Sequence, residues 1–260
     1  MKIALFDMDG TLTPARKEMG AAVVESLRDL MQAGFDIGIV SGSDFDYISS
    51  QCDLFFTDVR TNLSRVFIFP CNGTKKYTWD GSSFRKEHSA DMINHIGKEK
   101  YRFLLQTVTI MQSSILKTYD LPYTGTFFHY RGSMLNWCPI GRTADSESRK
   151  AWVQIDRDEK IREKYFEQIN DFFNTFNIDL SVALGGSTSF DIYPTGWDKT
   201  YAMKHLEGYN NVTFVGDKCL PGGNDYELYK MLQNKKGCQS FSASSPDETI
   251  KIIKKIIPSY

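Results

Sequence analysis

No apolar run in the chain approaches the roughly 20 residues that a membrane-spanning helix needs. Charge of one sign is also missing: 31 basic and 32 acidic side chains leave a formal net charge of −1. There is thus no global field to attract nucleic acid or an anionic membrane, and neither is expected as a partner. Cysteine is sparse and unclustered. Cys52, Cys71, Cys138, Cys219 and Cys238 are an odd set without a C-x-x-C spacing, which argues for free thiols in a reducing compartment and against a zinc site. The four histidines, His88, His95, His129 and His205, are equally dispersed. Repeats, low-complexity tracts and long linkers are missing too. The amino terminus reads as a strand with carboxylates close behind it, not as a signal peptide, so a cytoplasmic protein is expected. The sequons at Asn62, Asn72 and Asn211 are accordingly read as chance matches.

What is present is concentrated in residues 4–13, Ala-Leu-Phe-Asp-Met-Asp-Gly-Thr-Leu-Thr. The run Ile3 to Phe6 reads as a buried strand that stops on Asp7 and Asp9, with Gly10 for a sharp turn and Thr11 and Thr13 supplying hydroxyls. Two carboxylates one residue apart repel each other unless a cation compensates. They suit phosphoryl transfer, with one as nucleophile, the other moving protons, and Mg²⁺ neutralising the pair.

The rest of the chain arranges itself around that strand. Met19, Val23, Leu27, Leu30 and Met31 repeat at helical spacing and Gly34 ends the helix, followed by strands at 35–40 and 66–69. This β-α-β rhythm predicts a doubly wound, mostly parallel α/β core. The middle differs. Helical periodicity covers 99–117 and 158–176, and alternating segments at 126–137 and 180–193 predict antiparallel hairpins with helices on one face, a compact α+β insert. The core pattern returns with a strand at 212–215 ending on Gly216-Asp217, a weaker one at 240–243, and a capping box, Ser245-Pro246-Asp247-Glu248, opening a last helix with Ile250, Ile253 and Ile257 inward. The expected domains are a core of 1–82 and 188–260 and an inserted cap of 83–187.

Three further segments complete the chemistry. Ser43, with Ser41 as the less favoured alternative, stands at a strand's carboxyl end where a hydroxyl can hold a phosphate oxygen or cap a helix. Lys199, in Gly196-Trp197-Asp198-Lys199, can offset charge on a phosphate and a carboxylate. Asp217 follows a buried strand and precedes Pro221-Gly222-Gly223-Asn224-Asp225, and acids so placed are natural Mg²⁺ ligands. In an open α/β sheet all these strand ends converge on one crevice.

These segments, in this order, resemble the haloacid dehalogenase superfamily of phosphotransferases. More narrowly, the chain resembles the eukaryotic phosphomannomutases over nearly its whole length, through Gly42-Ser43-Asp44-Phe45, Met134-Leu135-Asn136, Pro139-Ile140-Gly141-Arg142, Ser189-Phe190-Asp191, Gly196-Trp197-Asp198-Lys199 and Gly216-Asp217-Lys218 to Asn224-Asp225. The resemblance implies that Asp7 is a nucleophile that becomes a phosphoaspartate and Asp9 a general acid/base, with Ser43 and Lys199 contacting the transferring group. Mg²⁺ would be held by Asp7, Asp217 and the Asp9 carbonyl, with Asp225 in support. A mutase also needs a site for the non-reacting phosphate, and guanidinium groups suit it. Arg131, Arg142 and Arg149 of the insert, Arg16 of the core, and Ser189 and Asp191, which alternate with Phe190 on one strand face, match that site in the family. The implied reaction interconverts mannose 6-phosphate and mannose 1-phosphate with a hexose 1,6-bisphosphate activator, for GDP-mannose synthesis. A sugar-phosphate phosphatase is the alternative, and a homodimer through the cap is implied. The chain departs from the family pattern at Cys71, where an acid is usual, at Thr124, where arginine is, and at Tyr229-Lys230-Met231, where a second cation site would need an acid.

Overall fold

The computed structural model describes residues 1–257, which fall into two compact units, 1–89 with 197 onward, and 90–196. The first unit is built on a seven-stranded sheet. Its strands are β1 (Lys2–Phe6), β2 (Phe35–Val40), β3 (Val66–Phe69), β4 (Lys75–Trp79), β5 (Phe84–Ser89), β10 (Asn211–Gly216) and β11 (Gln239–Ser242), in spatial order β11-β10-β1-β2-β3-β4-β5. β1 lies inside the sheet and is parallel to both neighbours, Ala4 lying opposite Thr213 on one side and Ile37 on the other. Successive side chains of a strand face opposite ways. Ala4 and Phe6 accordingly pack against α1 (Ala21–Gln32), α3 (Asp53–Asp58) and α9 (Pro246–Ile256), while Ile3 and Leu5 pack against α8 (Tyr226–Gln233) and the 3-10 turn 199–205. A strand covered on both faces has no use for polar residues until its end. The first carboxylate of β1 therefore emerges where the cover stops.

The second unit carries a four-stranded antiparallel sheet of β6 (Phe128–Tyr130), β7 (Leu135–Trp137), β8 (Leu180–Gly185) and β9 (Ser189–Pro194), ordered β6-β7-β9-β8. Its helices are α4 (Met92–Ile96), α5 (Lys98–Thr118), α6 (Ser146–Glu159) and α7 (Ile161–Thr175), and α2 (Phe45–Gln51) belongs to the first unit. One sheet face is apolar: Trp137 stacks on Phe190 at 4.8 Å, meets Tyr165 of α7, and donates from Nε1 to Gln112 Oε1 of α5 at 2.6 Å. Register puts Asn136 opposite Asp191 on the other, polar face.

The sheet classes and the insert's antiparallel order follow the sequence pattern. Three features do not. β4 and β5 form an antiparallel hairpin on the edge of the core sheet, so the expected boundary at 83 falls in the turn just before β5 and the structural one comes after Ser89. The far division likewise falls at 196/197, because β8 and β9 are one hairpin that a cut at 187 would split. The predicted helix 158–176 starts later, as α7, because Lys160 at a left-handed φ of 52° divides it from α6, a helix that the apolar spacing did not announce. Asp156 accepts the Arg162 N–H at 2.7 Å and its Nε–H at 2.6 Å, stapling the break.

Candidate active site

Asp7 stands one residue beyond β1, where its N–H still donates to Val215 of β10 at 2.9 Å. The side chain is buried and Lys199 donates an ammonium hydrogen to its Oδ1. Lys199 itself is wholly buried and donates also to Asp225 Oδ1 at 2.5 Å. Its backbone is set by Asp198, which caps the 3-10 turn by accepting from the Thr200 N–H at 2.8 Å. Asp225 carries the opposite load: its second oxygen accepts the Lys218 N–H at 2.9 Å, closing the loop after β10.

Oxygens of Asp7, Asp217 and Asp225 lie within 4.8 Å of one another. Two glycines permit this. A Cβ on Gly10, whose φ is +92°, would sit 2.5 Å from Asp217 Oδ2, and one on Gly216 would sit 2.7 Å from the Asp225 carboxyl. Three carboxylates thus crowd together with one buried ammonium, which bonds two of them, and the consequence shows in their proton affinities. Burial pushes Asp7 up to about 7; Lys199 opposes this, while Asp225 and Asp217 add to it. Burial also raises Asp217, against the pull of Lys218. For Lys199, burial works toward the neutral amine, but the charges of Asp225 and Asp7 win and hold it protonated. An all-oxygen donor set with excess negative charge fits a hard divalent cation such as Mg²⁺. Both Asp225 oxygens are already engaged, so Asp7 and Asp217 are the carboxylates left to face such an ion.

The Asp9 carboxylate is outside that group. Its Oδ1 accepts the Arg16 N–H at 2.9 Å and the Tyr47 hydroxyl at 2.8 Å. Ser43 lies in the turn after β2, its N–H donating to Ser41 Oγ at 3.1 Å and its carbonyl accepting from Cys71 at 2.9 Å. The helix cap there is Asp44, which accepts the Tyr47 N–H at 3.0 Å. Ser41 is thus spent on the turn and Ser43 is not the cap. Cys71 is buried at φ 50°, in a turn packed so closely on 199–205 that a Cβ on Gly73 would meet Ala202 at 2.7 Å.

Five of the remaining expected residues gather in the second unit. Arg131 Nη1 lies 3.7 Å from Asp191 Oδ1, which accepts from Asn136 Nδ2 at 2.7 Å, and Arg142 Nη1 donates to Asn136 Oδ1 at 3.5 Å. Arg149 donates to the Arg142 carbonyl at 2.9 Å and to Thr188 Oγ1 at 2.8 Å, beside Ser189. Asn136 and Thr188 join the cluster unannounced by the sequence, although Asn136 alternates with Leu135 and Trp137 and so had to face the polar side. Arg16 is exposed in the first unit, with a left-handed φ of 61°. Thr124, in place of an arginine, binds the Ile140 carbonyl through Oγ1 at 3.1 Å.

Solved structures with this fold include an N-terminally truncated IMP-nucleotidase from Plasmodium falciparum with IMP bound (TM-score 0.68, 13% identity, 98% of this chain and 68% of that one), and a trehalose-6-phosphate phosphatase related protein (TM-score 0.55, 15% identity, 98% and 96%). What these structures share with the chain is the fold, an α/β unit on a mostly parallel sheet with a second unit carrying an antiparallel one. The model of the family described as "Eukaryotic phosphomannomutase" matches residues 23–259. Phosphomannomutases of Saccharomyces cerevisiae (36% identity, 98% of this chain and 93% of the relative), Solanum lycopersicum (35%, 96% and 91%) and Arabidopsis thaliana (34%, 99% and 97%) are similar along nearly their whole length. The chain belongs to the eukaryotic phosphomannomutase family and is an enzyme. Among the described residues, no helix is long and apolar enough to cross a membrane.

Proposed function

We propose that this enzyme interconverts mannose 6-phosphate and mannose 1-phosphate through a phosphoaspartate on Asp7, with a hexose 1,6-bisphosphate as activator, for GDP-mannose synthesis. The observation that carries the reading is the buried Asp7–Lys199 pair set against Asp217 and Asp225. An Asp7 oxygen attacks phosphorus, the bond from phosphorus to the sugar oxygen breaks, and Asp9 gives that oxygen a proton. In the return step the sugar hydroxyl attacks the phosphoaspartate and Asp9 takes the proton back. Lys199 holds charge on the transferring group where little water competes, and Ser43 binds one of its oxygens. Asp7, Asp217 and the Asp9 carbonyl would hold Mg²⁺, which when bound supplies the positive charge that the three carboxylates call for. Arg131, Arg142 and Arg149, with Ser189, Asp191 and Arg16, bind the non-reacting phosphate and the sugar. The unit of 90–196 serves as a specificity cap and dimer contact of a cytoplasmic homodimer, a reading that rests on family membership.

Quenching the enzyme during turnover with mannose 1-phosphate and bisphosphate, then locating the label by mass spectrometry, tests the central step. Phosphate on Asp7, and isomer formed in excess of inorganic phosphate, is the expected result. A label elsewhere sinks the mechanism, and phosphate release without isomer makes the enzyme a phosphatase.

A further inference from the structure

Tyr47 has no place in the chemistry described so far, yet its hydroxyl is the only side-chain donor on Asp9 among the described residues. It sits on the first turn of α2, where Asp44 pins its backbone N–H at 3.0 Å, and its half-buried ring packs on the core beneath β1. The 2.8 Å bond to Asp9 spans 38 residues of chain. The second donor on that carboxylate is a main-chain one, and it comes from Arg16, a residue held in the left-handed region at φ 61°. Non-glycine residues adopt that conformation only where their surroundings impose it. Both donors converge on Oδ1, and no described group bonds Oδ2. A carboxyl gripped by one oxygen presents the other in a fixed direction. That is the requirement for a group that must meet a leaving oxygen at hydrogen-bond distance in two successive half-reactions.

We propose that Tyr47 is a positioning residue for the transfer reaction, clamping Asp9 by Oδ1 so that Oδ2 delivers and retrieves the proton. The inference rests on the acid/base reading of Asp9 given above. In the forward step the bond from phosphorus to an Asp7 oxygen forms, the bond from phosphorus to the sugar oxygen breaks, and the Oδ2 proton passes to that oxygen. In the return step the proton comes back from the attacking hydroxyl. The competing view is that the hydroxyl is merely the satisfied tip of a core tyrosine. That view makes Tyr47 matter for folding and nothing else.

The nature of the leaving group separates the two. A sugar alkoxide needs a proton to depart, whereas the phenolate of p-nitrophenyl phosphate leaves without one at neutral pH. Tyr47→Phe keeps the ring and removes the clamp. Its kcat on mannose 1-phosphate is expected to fall about tenfold with KM within about twofold, while single-turnover release of p-nitrophenolate changes by less than about twofold. Asp9→Asn should show the same asymmetry in larger form, about 10²–10⁴ on the sugar phosphate. Adding Tyr47→Phe to Asp9→Asn should cost less than about a further twofold, because a clamp with nothing to hold has no effect. Equal losses on both substrates, no loss on the sugar phosphate, or full additivity with Asp9→Asn would each overturn the role given to Tyr47. An Asp9→Asn variant that loses equally on both substrates would instead remove the acid/base reading of Asp9. The double-variant comparison needs only sugar phosphate, and melting temperatures of all variants establish that each is folded.

Discussion

Lys199 and Asp225 meet at 2.5 Å with neither side chain reaching solvent, and the same ammonium turns to Asp7. Removing one partner of a buried ion pair leaves its counter-charge stranded, which costs about 3–5 kcal/mol. Lys199→Met strands two carboxylates at once beside Asp217. In the presence of a chelator the variant is expected to lose about that much unfolding free energy, read as a lower urea midpoint at unchanged slope, and to recover part of the loss in millimolar Mg²⁺. Urea titrations with and without the ion check this. An unchanged midpoint in chelator would mean that Lys199 holds nothing together.

The crowding of carboxylates also sets the sign of a pH effect. Asp7 titrates near 7 in the folded cation-free protein and near 3.8 when unfolded, so between those values the folded form binds the extra proton. The Asp7 contribution to stability is therefore full below about pH 4 and drains away as pH rises toward 7. Asp7→Asn cannot titrate. In chelator, the stability of Asp7→Asn relative to the parent enzyme should climb across pH 4–7 and flatten beyond. Mg²⁺ binds the ionised parent, so adding it should shrink the climb. A difference independent of pH would contradict the burial-driven shift.

Much of this arrangement is legible in the sequence, and what is hidden there is hidden for physical reasons. Strands covered on both faces must be largely apolar, which is why β1 reads as an unbroken run from Ile3 to Phe6 and β10 as a run from Val212 to Val215 broken only by Thr213, with Asp7 and Asp217 standing out just past their ends. β4 and β5 lie at the sheet edge, where charged residues such as Lys75, Lys76, Arg85 and Lys86 are what keeps an edge from pairing with another molecule. The same charges erase the strand signal. Helical spacing reads back past Lys160 to residue 158, because nothing in it marks a single left-handed residue, and α6, with only Trp152 and Asp156 buried, shows no apolar stripe at all. Asp225 could be placed near the cation but not in the grip of Lys199, since the pairing spans 26 residues and depends on how the loop after β10 closes. Tyr47 was invisible as a partner of Asp9 because a tyrosine on a short helix is, in sequence, an ordinary core residue.

Gly10 offers a way to separate backbone strain from loss of the site. Its φ of +92° disfavours any side chain, and a Cβ there would strike the Asp217 carboxylate. Gly81, at φ +103°, has the same backbone demand with open space around it. Alanine at either position should cost about 1–3 kcal/mol. Only Gly10→Ala should also lower turnover, by at least about tenfold, because it displaces a carboxylate expected to face the cation. Thermal melts and steady-state rates of the two variants decide it. Equal activity in both would show that Asp217 can move without consequence.

Arg142 gives the corresponding test in the second unit. Its guanidinium reaches Asn136 on the polar sheet face, and its carbonyl is held by Arg149, so side chain and backbone are both fixed. A planar fork pairs with two phosphate oxygens at once, whereas a lysine ammonium offers one compact charge. Arg142→Lys keeps the charge and loses the fork. If the arginine binds the non-reacting phosphate, KM for the activating bisphosphate should rise about tenfold or more with kcat for isomerisation little changed, the pattern of an interaction made equally in ground and transition states. p-Nitrophenyl phosphate has no second phosphate, and its kcat/KM should stay within about twofold. A matching loss on that substrate would place Arg142 in the support of the fold, and no loss on either would remove it from the sugar-phosphate site.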